Sequence, residues 1–360
     1  MVIGVFGLSA SGKSTVYSLL TGVAPEPGGR RTEGASATAL VHDSRVDELA
    51  EVFNPKKVTR ASLTFTDMPG FDMGASRAEK SRVMQFIQNS DAILAVVRAF
   101  DNPAVAWPEG ADTPARQLDT IRTELLLRDL AVVEGRLERI AETERKRHRL
   151  DEEVIRERAI IERVRQGLED EKLVSRQELS PEDLKIVGTL GLFTAKPVIV
   201  AANTGEQQAG GKYPDRDYVK EQCARNGFAD IELSALLETE ISQLEPAERQ
   251  TFLDAYGFAE TGIERLSRVV YGHVGLISFL TVGEDEVRAW TVRRDTRARE
   301  AAGAIHTRLA QTFVRAEVIH YDSFMTVRCL KIAKARNLVR LAGADEVVND
   351  GDIFHVRASG

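Results

Sequence analysis

The apolar run Val2-Ile3-Gly4-Val5-Phe6 passes directly into Gly7-Leu8-Ser9-Ala10-Ser11-Gly12-Lys13-Ser14, and Thr15-Val16-Tyr17-Ser18-Leu19-Leu20 follows with helical spacing. A strand that turns through a glycine-rich loop into a helix leaves few folds open, because the buried strand needs parallel neighbours and the helix must lie back across them. The same turn aims several backbone N–H groups and the positive end of a helix dipole at one point, which suits a polyphosphate. Residues Ser9 to Thr15 are therefore the candidate phosphate-binding segment. Lys13 is placed to reach the β and γ phosphates, and the Ser14 hydroxyl to hold Mg²⁺.

The rest of the chain extends this pattern. Leu63 to Asp67, Ala92 to Val97, Pro197 to Ala202 and Ile231 to Ser234 read as further short strands, the first three rich in apolar and β-branched residues. Between about 115 and 185 the period changes. Leu118, Ile121, Leu125, Val133, Leu137 and Ile140, then Leu150, Val154, Ile161, Val164 and Leu168, predict two long amphipathic helices joined near Lys146 to Arg149. Because strands resume afterwards, this antiparallel hairpin is an insertion into the sheet domain. The expected division is 1–114 with 186–275 as a P-loop domain with a parallel sheet, 115–185 as the inserted hairpin, and 276–360 as a small α+β domain. In the last, Ile277 to Thr281, Val287 to Val292 and Ala316 to Ile319 predict strands, Arg297 to Ala310 one helix, and Asn349-Asp350-Gly351-Asp352 the turn of a closing hairpin.

With 360 residues, 43% of them hydrophobic, the chain has ample material for more than one core. A net charge of −7 argues against wholesale coating of nucleic acid, and DNA is not an expected partner. No run of about 18 apolar residues occurs, so no membrane association is expected. Met1 leads straight into a strand without a basic leader, and Cys223 and Cys329 form no metal-type pair. The expectation is a cytoplasmic protein with reduced thiols.

Two further motifs refine the chemistry. Asp67-Met68-Pro69-Gly70 closes a strand, which places Asp67 to bind Mg²⁺ directly or through water and the Gly70 amide to meet the γ-phosphate. Asn203-Thr204-Gly205-Glu206 follows a later strand where a GTPase carries Asn-Lys-x-Asp, whose aspartate reads guanine N1–H and the 2-amino group. Thr204 and the longer Glu206 weaken guanine recognition and favour ATP, with GTP the alternative. Ser234-Ala235-Leu236 stands where GTPases place a loop whose backbone faces the base.

Together these residues resemble the YchF family of Obg-like P-loop ATPases over essentially the whole chain. Leu192-Phe-Thr-Ala-Lys-Pro197 and Glu232 to Ile241 are similar to the segments around that family's Asn-x-x-Glu and Ser-Ala motifs. Glu286 to Thr291, Ala302 to Thr307, Phe313 to Val318 and Asp350 to His355 resemble its TGS domain, a ubiquitin-like β-grasp fold. The resemblance implies ATP with Mg²⁺ as ligand or substrate and a role as a nucleotide-dependent switch in translation or stress; weak intrinsic hydrolysis and a monomer are also expected. It implies the ribosome or ribosomal RNA as partner, met through the TGS domain and the hairpin. An adaptor that binds nucleotide with little catalysis and a guanine-specific GTPase are the alternatives.

Several positions depart from the family. Ser9-Ala10-Ser11 replaces Pro-Asn-Val, so Ala10 stands where an asparagine helps hold a monovalent cation. Arg30-Arg31-Thr32-Glu33 replaces the Phe-Cys-Thr-Ile stretch of the first switch, leaving Thr32 as the candidate threonine for Mg²⁺. The glycine-rich stretch of the second switch is reduced to Gly74 to Glu79. Phe71 occupies the place of the water-orienting glutamine of Ras-like enzymes, and residues 101–112 lack the histidine that family members are thought to use. The catalytic set reduces to Lys13 and Gly70, with the water-activating residue unknown. His306, His320 and His355 are widely spaced and read as structural or surface groups.

Overall fold

The computed structural model describes residues 1–23, 34–70, 76–147, 151–208, 212–256, 258 and 260–358. By its internal contacts the chain forms two compact units, Met1–Ala37 with Thr64–Ile263, and Thr38–Leu63 with Glu264–Gly360. The elements begin β1 (Val2–Phe6), α1 (Lys13–Thr21), β2 (Ala35–Leu40), α2 (Ser44–Phe53), β3 (Lys57–Thr59), β4 (Ser62–Asp67), α3 (Arg77–Gln88) and β5 (Ala92–Ala99). They continue with α4 (Pro114–Arg147), α5 (Glu152–Glu169), α6 (Pro181–Gly188), β6 (Val198–Thr204), α7 (Arg216–Asn226), β7 (Ala229–Leu233), α8 (Ala235–Gln243), α9 (Pro246–Tyr256) and α10 (Gly262–His273).

The first unit is built on a six-stranded sheet in the order β2-β4-β1-β5-β6-β7. β1 pairs in parallel with β4 and β5, β5 with β6, and β6 with β7. The chain moves from β1 to β4 on one side and then to β5 on the other. The loop after β1 thus lies at the point where the winding reverses, the usual ligand position in such sheets. β5 and β6 are buried along their whole length, their apolar runs followed by the buried polar residues Arg98, Asn203 and Thr204.

The long helices divide their labour. Leu118, Ile121 and Leu125, read from the sequence as part of the hairpin seam, pack instead with Phe6, Ile93, Val97 and Val200 under the sheet. The seam proper starts at Leu126 and runs through Val133 and Ile140 at heptad spacing, against Ile161, Val164 and Leu168 of α5. Arg136 bonds Glu157 through both carboxylate oxygens at 2.8 Å, and Arg158 pairs with Glu144 at 3.1 Å, so charged groups as well as the apolar seam join the two helices. Where the insertion rejoins the sheet, the buried Asp129 carboxylate accepts from the amides of Phe193 and Thr194 at 2.7 Å and from Thr194 Oγ1 at 2.6 Å. Burial pushes this carboxyl upward, and the three donors oppose that shift. Lys196 donates to the carbonyls of Ile87 and Gln88 at the end of α3 and to that of Ser90, a cation at a helix C-terminus. Among the described residues no helix is long and apolar enough to cross a membrane.

The second unit continues with β8 (Leu276–Thr281), β9 (Glu286–Arg293), α11 (Ala298–Ile305), α12 (Thr307–Gln311), β10 (Phe313–His320), α13 (Tyr321–Met325), α14 (Leu330–Ala335), β11 (Arg340–Ala342) and β12 (Asp352–Ala358). Its sheet has the order β11-β10-β12-β8-β9-β3, with β12 antiparallel to β10 and parallel to β8. Without β3 this is the β-grasp, ubiquitin-like order. The turn at Asn349–Asp352 therefore does not close a hairpin; it feeds β12 into the middle of the sheet. The single helix expected over Arg297–Ala310 is also divided. His306 is extended (φ −162°) and its Nδ1 accepts from the Arg308 amide at 3.2 Å, capping a new helix.

Residues 38–63, assigned from the sequence to the P-loop domain, pack within this second unit. β3 joins β9 in parallel, and α2, with Val46 and Leu49 fully buried, lies against β9. Phe53 stacks on Phe324 at 5.4 Å, and Arg45 donates to Asp43 and Asp350, each at 2.8 Å.

Candidate functional site

Sequence and sterics dictate the loop after β1. Gly7 has no space for a side chain, since a Cβ there would lie 2.5 Å from the Val96 carbonyl. Ala10 (φ 62°) and Gly12 (φ 85°) both take the left-handed conformation, and Gly12 hands the chain to α1 without a side-chain cap. Its first-turn amides and those of the loop are thus oriented by backbone alone. A Cβ on Gly12 would fall 2.1 Å from Asn203 Nδ2. No residue other than glycine satisfies both that conformation and that approach.

The Asp67 to Gly70 segment meets this loop directly. A Cβ on Gly70 would lie 2.6 Å from Lys13 Nζ and 3.1 Å from Ser9 Oγ, so the lysine, the loop serine and the Gly70 backbone converge. Asp67 is buried at the end of β4, while Ser14 is exposed on the first turn of α1. Beside Asp67, Thr66 exchanges a hydrogen bond with Ser36 at 2.8 Å. A Cβ on Gly34 would lie 3.1 Å from the Asp67 carbonyl, so Gly34 packs close against the Asp67 backbone. Thr32 and Phe71 lie outside the described residues, and so do Gly74 and Ala75 of the stretch Gly74 to Glu79.

At the other end, Asn203 acts as a tie. Its Nδ2 donates to the Ser11 carbonyl at 3.1 Å, and its Oδ1 accepts from the Ala235 amide at 3.0 Å. Three segments distant in sequence are held by one buried amide group. Ser234 Oγ accepts from the Leu237 amide at 3.4 Å, so this hydroxyl starts α8. Thr204 is buried at the end of β6, whereas the side chains of Glu206 and Leu236 are exposed. Ser9, Lys13 and Gly70 are thus brought together at one end, and Ser11, Gly12, Asn203 and Ala235 at the other.

Comparison with known proteins supplies the family. Residues 276–359 match the family model YchF-GTPase_C, described as "Protein of unknown function (DUF933)". The "Ribosome-binding ATPase YchF" of Bacillus subtilis (strain 168) is 33% identical over 364 residues, 99% of this chain and 99% of that protein. The chain belongs to the YchF family. Another YchF protein, from Escherichia coli O157:H7 and carrying the same name, is 31% identical over 98% of this chain and 97% of its own. Among solved structures, "Structure of the Schizosaccharomyces pombe YchF GTPase" superposes with a TM-score of 0.86 at 30% identity, covering 99% of this chain and 97% of that one. YchF relatives are thus named both as ATPase and as GTPase.

One residue beside this YchF site escapes a reading by motif. Arg98, in β5, is fully buried. Its guanidinium donates to the carbonyls of Phe100, Asn102, Val105 and Ala106 at 3.1 to 3.3 Å, curling residues 100–107 around itself. The rings of Phe100 and Trp107 lie 4.7 and 4.1 Å from its Cζ. Burial lowers its pKa, with Asp101 opposing. The available signal was an arginine closing an apolar run, with two aromatic residues just beyond it.

Proposed function

We propose that this chain is a P-loop nucleoside triphosphatase that binds ATP with Mg²⁺, hydrolyses it slowly and works with the ribosome as a nucleotide-dependent switch. The convergence of Lys13 and Ser9 on the Gly70 backbone carries the reading, because it joins the phosphate loop to the segment that follows a candidate metal-binding aspartate. Lys13 compensates charge on the β and γ phosphates, and the Gly70 amide donates to the γ-phosphate. The donor set fits Mg²⁺, with a hydroxyl from Ser14, a carboxylate from Asp67 and Thr32 as the third candidate. When bound, the ion supplies charge neutralisation at the phosphate oxygens.

ATP is favoured over GTP because Glu206 is exposed and longer than the aspartate that reads guanine, while the lysine that lies along the base is replaced by the buried Thr204. Slow turnover follows from Phe71, which cannot orient water, and from residues 101–112, which hold no histidine. Ribosome association is inferred from the YchF relatives named as ribosome-binding, and the β-grasp unit and the hairpin are the proposed points of contact. Single-turnover hydrolysis by the isolated protein tests the catalytic part, with brisk ATP hydrolysis contradicting it. Cosedimentation with ribosomes in ATP, ADP and no nucleotide tests the switch. Equal binding in all three identifies an adaptor instead.

A further inference from the structure

Four residues separate Gly7 from Gly12, and their side chains part ways. Leu8 and Ser11 are fully buried, and a Cβ on Gly7 would lie 2.8 Å from Ser11 Oγ, so that hydroxyl packs against the start of its own loop. Ala10 is exposed and carries no polar group. Ser9 is half-buried, and its Oγ lies 3.1 Å from the point that a Cβ on Gly70 would occupy, with Lys13 Nζ 2.6 Å from the same point. The loop thus sets one hydroxyl beside the lysine ammonium and the backbone of the segment that follows Asp67. Neither side chain considered above for the attacking water is available: position 71 is a phenylalanine, and residues 101–112 hold no histidine.

Phosphoryl transfer depends on how well fixed donors meet the charge carried by the γ-phosphoryl oxygens. Lys13 and the Gly70 amide are two such donors, and the hydroxyl of Ser9 borders both. We propose that Ser9 is a further catalytic residue of this chain, whose hydroxyl donates a hydrogen bond to an oxygen of the transferring γ-phosphoryl group. Water adds to the γ-phosphorus, the bond to the oxygen bridging the β and γ phosphates breaks, and its electron pair leaves with ADP. One water proton passes to the released phosphate, and Ser9 keeps its own. Because the hydroxyl serves only the γ group, it separates a triphosphate from a diphosphate, which the backbone amides of the loop do not do alone. The assignment rests on the nucleotide-binding reading above.

The test uses the full-length chain in Mg²⁺: single-turnover hydrolysis at saturating ATP, binding of fluorescent ADP and of a fluorescent non-hydrolysable ATP analogue, and the melting temperature of the nucleotide-free protein. Ser9→Ala is expected to lower the hydrolysis rate about tenfold, as the loss of one neutral donor to the reacting group. ADP affinity should stay within about twofold of the unsubstituted chain, and the melting temperature should not change. Ser9→Gly should lose as much, since the hydroxyl, not the bulk of the side chain, carries the effect. If the unsubstituted chain turns over too slowly to time, its preference for the ATP analogue over ADP decides: Ser9→Ala should reduce that preference about fivefold, and an unchanged preference overturns the assignment. A Ser9→Ala rate within about twofold of the unsubstituted one, or faster, also overturns it. So does an ADP affinity that falls as far as the rate, which marks a residue that only shapes the loop. An unsubstituted chain that binds neither ATP analogue nor ADP overturns the nucleotide reading itself, and this assignment with it.

Discussion

A methyl group at Gly12 would press to 2.1 Å from the Asn203 amide, and one at Gly70 to 2.6 Å from the Lys13 ammonium, whereas the side chains of Glu206 and Leu236 stand exposed. The phosphate end of the site is made from backbone at van der Waals limits, and the base end from side chains with room to change. Triphosphates are alike in every nucleotide, so a backbone cradle serves them all. Bases differ by a few hydrogen-bonding groups, so their discrimination rests on exchangeable side chains. The phosphate loop is tied to the start of α8 by Asn203.

Substitutions break this contrast in a definite order. Lys13→Ala should have the largest effect, lowering the hydrolysis rate by about a hundredfold or more, measured in single turnover, with nucleotide affinity falling as well. Gly12→Ala should be nearly as damaging, because its φ of 85° and the Asn203 contact both exclude a Cβ. Nucleotide binding measured by calorimetry should be lost, whereas Gly70→Ala, whose tightest contact is the flexible end of Lys13 at 2.6 Å and whose contacts with Ser9 lie at 3.1 and 3.2 Å, should retain part of it.

Asn203→Ala comes next. It leaves the Ser11 carbonyl and the Ala235 amide buried without their partner, at about 1 to 3 kcal/mol each. The melting temperature should fall by several degrees, and both ATP and GTP analogues should weaken together because the joint between the ends is lost. Glu206→Asp should leave stability unchanged and move the ATP-to-GTP affinity ratio toward GTP by about tenfold at most. Leu236→Ala should change neither stability nor affinity by more than about 0.5 kcal/mol. A large effect at Leu236 combined with a small one at Gly12 would reverse the contrast.

The legibility of the sequence follows the same division. The strand, loop and helix from Val2 to Thr21 were readable because glycine spacing and local periodicity both report short-range constraints. The positions of Asn203 and Asp67 were readable from their motifs, but not the bonds from Asn203 to Ser11 and Ala235, which join residues 192 and 32 positions apart. Leu118, Ile121 and Leu125 kept the helical period of the seam while packing under the sheet, since period alone does not say which surface a helix meets. β3 has only three residues, none buried, and its partner β9 lies more than 200 positions away, so residues 38–63 gave no local sign of belonging to the second unit. Arg98 was hidden by the rule that arginine belongs at the surface, a rule it escapes by bonding four carbonyls within reach of its own loop.

Titration of the unsubstituted, full-length chain with fluorescent ATP and GTP analogues in Mg²⁺ bears most directly on the central claim. Saturable binding, clearly tighter for the ATP analogue, is the predicted result. Clearly tighter binding of the GTP analogue, or no binding of either, would contradict it.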